Sequence, residues 1–291
     1  MTTWHDKVLV LGATGLLGAQ LVPQLRRSGY EVFTHGRSGG DYQLLLDDRD
    51  IVYQFLERIK PDVIVSLVGL TDVDQCERDP NQAFVHNVLP IEVISHWIKF
   101  SSKKSHLIYI STDQVYDGIG PHTEKDTKLT NYYAFSKYAG ELAALSAGGT
   151  IIRTNFFGRG YLKKRESLTD WLYKSISCDE SIEVFRNVQF SPLSMNTLSM
   201  MIELFLQNKV PGIFNLGSRD GFSKADFAFA FANELKLPTK KIKRKSTYEV
   251  TFLKTYRPED MRMDCSKFES EMNVKLPTLM SEIIKVAKEY L

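Results

Sequence analysis

Short apolar runs and helical periodicities alternate along the first half of this chain, and that alternation leaves few architectures open. Lys7-Val-Leu-Val-Leu11 is almost unbroken in its hydrophobicity, as a strand is when both of its faces are buried. Four more such runs follow, at 30–34, 62–68, 106–111 and 150–154. Between them apolar residues recur every three or four positions. Leu17, Leu21 and Leu25 form one such stripe, and Ile51, Val52, Phe55, Leu56 and Ile59 another, for which Asp50 is the expected N-cap. Strand and helix in strict alternation imply a parallel sheet with helices on both faces. Pro23 falls inside the first helical stripe, where it removes an internal hydrogen bond, so a kink is expected there. After Thr154 the alternation loosens into short strand-like pieces and two helical stretches, 197–207 and 224–235.

Composition sets aside several classes. With 43% hydrophobic and 25% charged residues the 291-residue chain can bury a core, which excludes disordered and fibrous proteins. Lys and Arg (37) nearly balance Asp and Glu (35), so no strong field points to nucleic acid or an anionic membrane. The densest basic stretch, Lys240, Lys241, Lys243, Arg244 and Lys245, reads as a solvated loop, with a phosphate contact as the alternative. Cys76, Cys178 and Cys265 are odd in number and far apart, which fits a reducing compartment and neither a disulfide framework nor a zinc cluster. His5, His35, His86, His96, His106 and His122 have no metal-ligand spacing, so no metal is expected. The N-terminus lacks the layout of a signal peptide, and no apolar run approaches the roughly 20 residues that cross a bilayer. A cytoplasmic protein is expected.

Directly after the first apolar run comes Gly12-Ala-Thr-Gly15-Leu-Leu-Gly18, with glycine at every third position where a helix should open. Glycine there permits a tight turn, close approach of a pyrophosphate to backbone N–H groups, and close packing of helix on strand. Gly12, Thr14, Gly15, Leu16, Leu17 and Gly18 are therefore candidate cofactor contacts. NAD-binding units of this kind place a carboxylate about 20 residues further on, to hold a ribose hydroxyl. Here the segment is His35-Gly36-Arg37-Ser38, a guanidinium and a hydroxyl suited to a 2′-phosphate, which favours NADPH with NADH as the alternative. The expected fold is an α/β, Rossmann-type doubly wound parallel sheet over 1–155, with a smaller C-terminal substrate-binding lobe over 156–291. Part of 192–220 is expected to return to the first domain.

Tyr133 and Lys137 stand four apart, on one face of a helix. With 13 tyrosines and many lysines present, chance alone supplies about one such pair, so the pair gains weight only from its surroundings. Ser111-Thr112-Asp113 ends the preceding strand, at the sheet edge where open α/β folds bind ligands. A neighbouring ammonium draws a phenol, with its reference pKa of about 10, towards a useful acid–base range.

The Gly12/Gly15/Gly18 turn, Ser111-Thr112-Asp113, Tyr133 and Lys137 followed by Ala139-Gly140-Glu141, and Ile152-Arg153-Thr154 together resemble the extended short-chain dehydrogenase/reductase superfamily. Within it the chain is similar to the dTDP-4-dehydrorhamnose reductase family, from Lys7 through Arg257-Pro258 to Asp264-Cys265-Ser266-Lys267. The resemblance implies that Tyr133 is the proton donor, that Lys137 binds the nicotinamide ribose and tunes the tyrosine, and that Thr112 orients the keto group. It further implies Asp113 and Arg257 as substrate contacts, Asp47 at the adenine, Val68 and Gly69 along the ribose, Thr71 at the start of a substrate loop, and Asn87 as a support of the site. The implied reaction is reduction of the C4 keto group of a nucleotide-linked 4-keto-6-deoxy sugar, by a protein free to form a homodimer.

Some positions depart from the family pattern. Gln114 stands where a tyrosine is usual, and Asn155-Phe156 where a tryptophan is, so these three are candidate substrate contacts. Gln114 also disfavours a 4,6-dehydratase, whose glutamate there assists elimination, because an amide exchanges no proton at useful pKa. A non-catalytic subunit resembling the regulatory subunit of methionine adenosyltransferase, and an epimerase that retains its cofactor, are the alternatives.

Overall fold

The first strand, β1 (Lys7–Leu11), buries every residue after Lys7. The computed structural model describes residues 6–161 and 166–291, so His5 lies outside the described residues. The strands β2 (Glu31–Gly36), β3 (Tyr42–Gln43), β4 (Val63–Ser66), β5 (His106–Ile110) and β6 (Thr150–Thr154) join β1 in a seven-stranded sheet completed by Gly212–Leu216. Its order is Gly212–Leu216, β6, β5, β4, β1, β2, β3. β1 pairs in parallel with both β2 and β4, placing Leu11 level with His35 on one side and Ser66 on the other. The chain thus winds outward from β1 in one direction and then in the other, and the carboxyl ends of β1 and β4 flank the switch point where such sheets bind ligands. The expected doubly wound parallel α/β architecture is the one observed.

The helix α1 (Leu16–Arg27) runs through Pro23 for one further turn. For α2 (Arg49–Ile59) the expected cap is corrected: Asp48, not Asp50, is the N-cap, its carboxylate accepting from Asp50 N at 2.9 Å and Ile51 N at 3.0 Å. Asp50 falls in the first turn, where a negative charge still favours the helix. Three helices absent from the periodicity reading follow β4: α3 (Val73–Arg78), α4 (Pro80–Asn87) and α5 (Leu89–Phe100). α3 and α4, of six and eight residues, are too short to show a stripe, Pro80 and Pro90 open α4 and α5, and Asp72 and Asp79 cap the first two. Then come α6 (Tyr132–Leu145), α7 (Leu168–Ser177), α8 (Met195–Asn208) and α9 (Lys224–Glu234).

The chain divides into two compact units. One comprises Met1–Ser111, Tyr132–Ile152 and Ser199–Ile213, with a core of Leu9, Val52, Leu56, Ile64, Ile94, Trp97, Leu107 and Ile151. Trp97 is wholly enclosed there, its indole N–H donating to Glu57 at 2.8 Å. The other comprises Thr112–Asn131, Arg153–Leu198 and Phe214–Leu291. Its core gathers Phe157, Phe190, Phe227, Phe231, Leu279 and Ile283 around short two-stranded pairings, Gln189–Phe190 with Phe222–Ser223 and Ile182–Phe185 with Ile242–Lys245. Arg244 and Lys241 of the basic stretch pair with Asp226 and Asp179 on its surface.

Candidate active site

The turn after β1 is built from backbone that only glycine accommodates. Gly12 has φ +80°, and a Cβ on it would lie 3.1 Å from the carbonyl carbon of Leu67. Gly12 and Ala13 both donate to the carbonyl of His35, at 3.0 and 2.9 Å, tying the turn to the end of β2. A Cβ on Gly18 would meet Ala13 O at 2.5 Å, so the first turn of α1 sits directly on this loop. Gly15 caps α1 with extended backbone and no side-chain hydrogen bond, leaving the first helical N–H groups directed at whatever fills the turn. Thr14 packs against Gly36, where a Cβ would come within 2.7 Å of its hydroxyl. Arg37 and Ser38 follow Gly36 and are exposed; Asp47 is exposed too, between β3 and α2. This cradle, stripped of side chains where a pyrophosphate would lie, fits a dinucleotide.

Lys137 lies at the centre of the same unit. It is 4% exposed, donates to the carbonyl of Ile110 at 2.8 Å, and sits 4.1 Å from the ring centre of Tyr109. Burial pushes its pKa down to about 7, with the nearby Glu141 carboxylate opposing that shift. Glu141 is itself wholly buried and accepts from the Ser111 hydroxyl. Sequence reasoning gave Glu141 no role, although it continues the four-residue spacing of Tyr133 and Lys137 along α6. Tyr133, 6% exposed, packs among Val73, Cys76 and Ala83. Cys76 is enclosed, and burial pushes its thiol up to about 11, so it is no nucleophile.

Asn87 joins the pieces. Its amide oxygen accepts from Leu70 N at 2.7 Å, and its amide nitrogen donates to Leu70 O at 3.1 Å and Ser136 Oγ at 2.8 Å. The segment after β4 is thereby fixed against α6. Val68 is half-buried, and a Cβ on Gly69 would lie 3.0 Å from the Asn87 oxygen and 3.7 Å from the Lys137 nitrogen. Gly69, Asn87 and Lys137 are brought together, whereas Thr71 stands exposed just before the Asp72 cap of α3.

In the second unit, the Thr112 hydroxyl accepts from Gln114 N at 3.1 Å and donates to Asp113 at 3.3 Å. Asp113 is 1% exposed, and desolvation pushes its carboxyl up to about 6 although Asn155 donates to it at 2.7 Å. The side-chain oxygen of Gln114 is buried without a hydrogen-bond partner among the described residues. Phe156 is half-buried in a short parallel pairing with Leu193, and Arg257, also half-buried, donates to Thr255 O at 2.9 Å. Lys224, which no sequence signal marked, carries its charge towards Asp113 and Arg257. Among the described residues no three His, Cys, Asp or Glu side chains are placed to hold a metal ion, and no helix is long and apolar enough to cross a membrane.

A glycine cradle at the switch point of a doubly wound sheet, with tyrosine and a desolvated lysine one turn apart on the helix before β6, defines an extended short-chain dehydrogenase/reductase. The chain belongs to the RmlD substrate binding domain family, which it matches over residues 6–291. It is 27% identical over 289 residues to the dTDP-4-dehydrorhamnose reductase of Sinorhizobium fredii, covering 93% of each chain. It is 28% identical over 280 residues to methionine adenosyltransferase 2 subunit beta of Danio rerio, covering 92% of this chain and 85% of that one. A dTDP-4-dehydrorhamnose reductase from Bacillus anthracis, solved with NADP, superposes with a TM-score of 0.88 at 23% identity, covering 98% of this chain and 99% of that chain.

Proposed function

We propose that this protein is an NADPH-dependent reductase of the C4 keto group of a nucleotide-linked 4-keto-6-deoxy sugar. The observation that carries this reading is Lys137. A buried ammonium whose one described hydrogen bond goes to a backbone carbonyl costs stability, and a chain that only docked onto a partner would gain nothing from keeping it. NADPH, when bound, supplies the hydride that reduces C4. Tyr133 gives its hydroxyl proton to the oxygen that becomes the alcohol, Lys137 holds the phenol in a usable acid–base range, and Thr112 turns its single O–H from Asp113 to the carbonyl oxygen. Gly12, Thr14, Gly15, Leu16, Leu17 and Gly18 hold the pyrophosphate, Val68 and Gly69 border the ribose, Asp47 serves the adenine, and Arg37 with Ser38 takes the 2′-phosphate. Asp113, Gln114, Asn155, Phe156, Arg257 and Thr71 serve the sugar nucleotide. The first compact unit is then the cofactor half of the enzyme and the second the substrate half.

The test is NADPH and NADH consumption against dTDP-, UDP-, GDP- and CDP-linked 4-keto sugars. One sugar nucleotide is expected to turn over with NADPH preferred, and Arg37→Ala should narrow that preference about tenfold, the worth of one charge-assisted contact. Tight NADPH binding with no turnover on any of them would make the protein a binding subunit instead.

The reading places the enzyme in the cytoplasm as a homodimer. Phe84, Phe100, Phe135 and Leu142 are exposed together along one groove on α4, α5 and α6. Glu92 and Lys99 line the same groove two turns apart on α5, so a twofold copy running antiparallel sets each acid against a base. Phe135→Glu should halve the mass measured by light scattering at micromolar concentration; an unchanged mass would place the interface elsewhere.

A further inference from the structure

Lys224 occupies a position that helix physics disfavours. It is the first residue of α9, immediately after the cap Ser223, whose hydroxyl accepts from Asp226 N at 2.9 Å. A helix N-terminus carries partial positive charge, so a cation in its first turn is normally selected against. Asp226, the acid of that turn, is already engaged by Ser223 at 2.6 Å and Arg244 at 2.7 Å. The Lys224 backbone is held by its N–H donating to Val188 O at 2.9 Å and by the pairing of Phe222 with Phe190. Its ammonium lies 5.2 Å from the ring centre of Phe190, half-buried and without a hydrogen-bond acceptor among the described residues. Desolvation lowers its pKa, the Arg257 guanidinium lowers it further, and the Asp113 carboxylate works in the opposite direction.

The Asp113 carboxylate acts on this ammonium through its charge, with no ion pair formed between them, and it has acceptor capacity to spare. Two carboxylate oxygens offer about four lone-pair sites. Thr112 takes one at 3.3 Å and Asn155 another at 2.7 Å. Gln114, next along the chain, adds a buried side-chain oxygen that lacks a donor among the described residues. Three unused N–H bonds, unfilled acceptor sites and no net charge on the Asp113–Lys224 pair match one kind of ligand. Adjacent hydroxyl groups each need both an acceptor and a donor, and they bring no charge of their own.

Resting on the reductase reading, we propose that Lys224 is a specificity residue of the substrate site, donating to one of two adjacent sugar hydroxyls while Asp113 accepts from the other. Asp113 directly follows Thr112, which puts this pair of hydroxyls beside the keto carbon. The arrangement selects a neutral, hydroxylated 4-keto sugar. An amino sugar would set its ammonium against Lys224, and a uronic acid its carboxylate against Asp113.

The experiment uses the full chain and two variants, Lys224→Met and Lys224→Arg, with the melting temperature of each confirming the fold. Binding of a reduced nucleotide sugar, which does not turn over, is measured by calorimetry beside the bare nucleoside diphosphate and NADPH, followed by kinetics on the turned-over sugar. Lys224→Met is expected to weaken nucleotide-sugar binding and raise its KM about 10- to 100-fold, while Kd for the nucleoside diphosphate and NADPH stays within twofold. The acid limb of its kcat/KM profile should move upward, since Asp113, faced by Thr112, Asn155 and Lys224, loses its only nearby positive charge among these. Lys224→Arg should recover part of the affinity. Equal weakening of nucleotide sugar and nucleoside diphosphate would make Lys224 a phosphate contact beside Arg257 and overturn the proposal, as would no weakening of either. Wild-type protein that binds nucleotide sugars without reducing them sinks the reductase reading alone, because the Lys224 comparison is read from binding. Failure of the wild type to bind any nucleotide sugar overturns both.

Discussion

Tyr133→Phe is expected to lower kcat about 10²- to 10⁴-fold, the usual contribution of a positioned proton donor, while the Kd for NADPH stays within about twofold. The ring of Tyr133 is packed among Val73, Cys76 and Ala83, so phenylalanine keeps that packing and loses only the hydroxyl. Loss of one hydroxyl's hydrogen bonding costs about 1 kcal/mol of stability, too little to unfold the chain. Single-turnover measurement of NADPH oxidation with the sugar substrate separates the chemical step from product release. A variant that retains more than a tenth of wild-type kcat would remove Tyr133 from the chemistry.

Lys137→Met is expected to act in opposite directions on activity and stability. In the proposed mechanism turnover should fall by at least 10²-fold, the phenol losing the positive charge assigned to tune it. The cofactor-free protein should nevertheless melt higher. The folded-state pKa of Lys137 is depressed to about 7, so the unfolded chain binds that proton more tightly, and the buried ammonium costs most stability below about pH 7. The cost fades as pH rises from about 7 towards the ordinary lysine value near 10.4. After allowing for the hydrogen bond lost at Ile110 O, the variant should gain about 1–3 kcal/mol near pH 6.5, or roughly 2–8 °C in Tm, with the gap to wild type narrowing by pH 10. Thermal melts across that pH range check it. A lower Tm for the variant at pH 6.5 would mean that Lys137 is a net structural asset, which would weaken the argument that it is retained for chemistry.

Much of the first unit was legible because its strands are buried on both faces. Continuous apolar runs such as those at 8–11 and 63–65 leave little ambiguity, and the glycines at 12 and 18 follow from close contacts that a side chain could not share. α3 and α4 stayed hidden because six and eight residues are too few to show a helical stripe. Asp48 displaced Asp50 as a cap because two acids so close together both satisfy the pattern, and only backbone geometry separates them. At the site, the four-residue spacing exposed Tyr133 and Lys137 and, carried one step further, would have exposed Glu141. Lys224 had no such signature. Its charge acts on Asp113 through the fold of a distant segment, and a lysine opening an alanine-rich helix looks like any surface cation.

The Asn87 amide clamps both the N–H and the C=O of Leu70 and reaches Ser136 as well. It therefore works as a mechanical stop. Strain introduced in the chain beyond Leu70, from Thr71 onward, is absorbed there before it reaches Gly69 or Lys137. Gly69 and Lys137 are anchored behind that stop, whereas Tyr133 leans on Val73 and Cys76 ahead of it, so a change in that segment is felt first at the phenol.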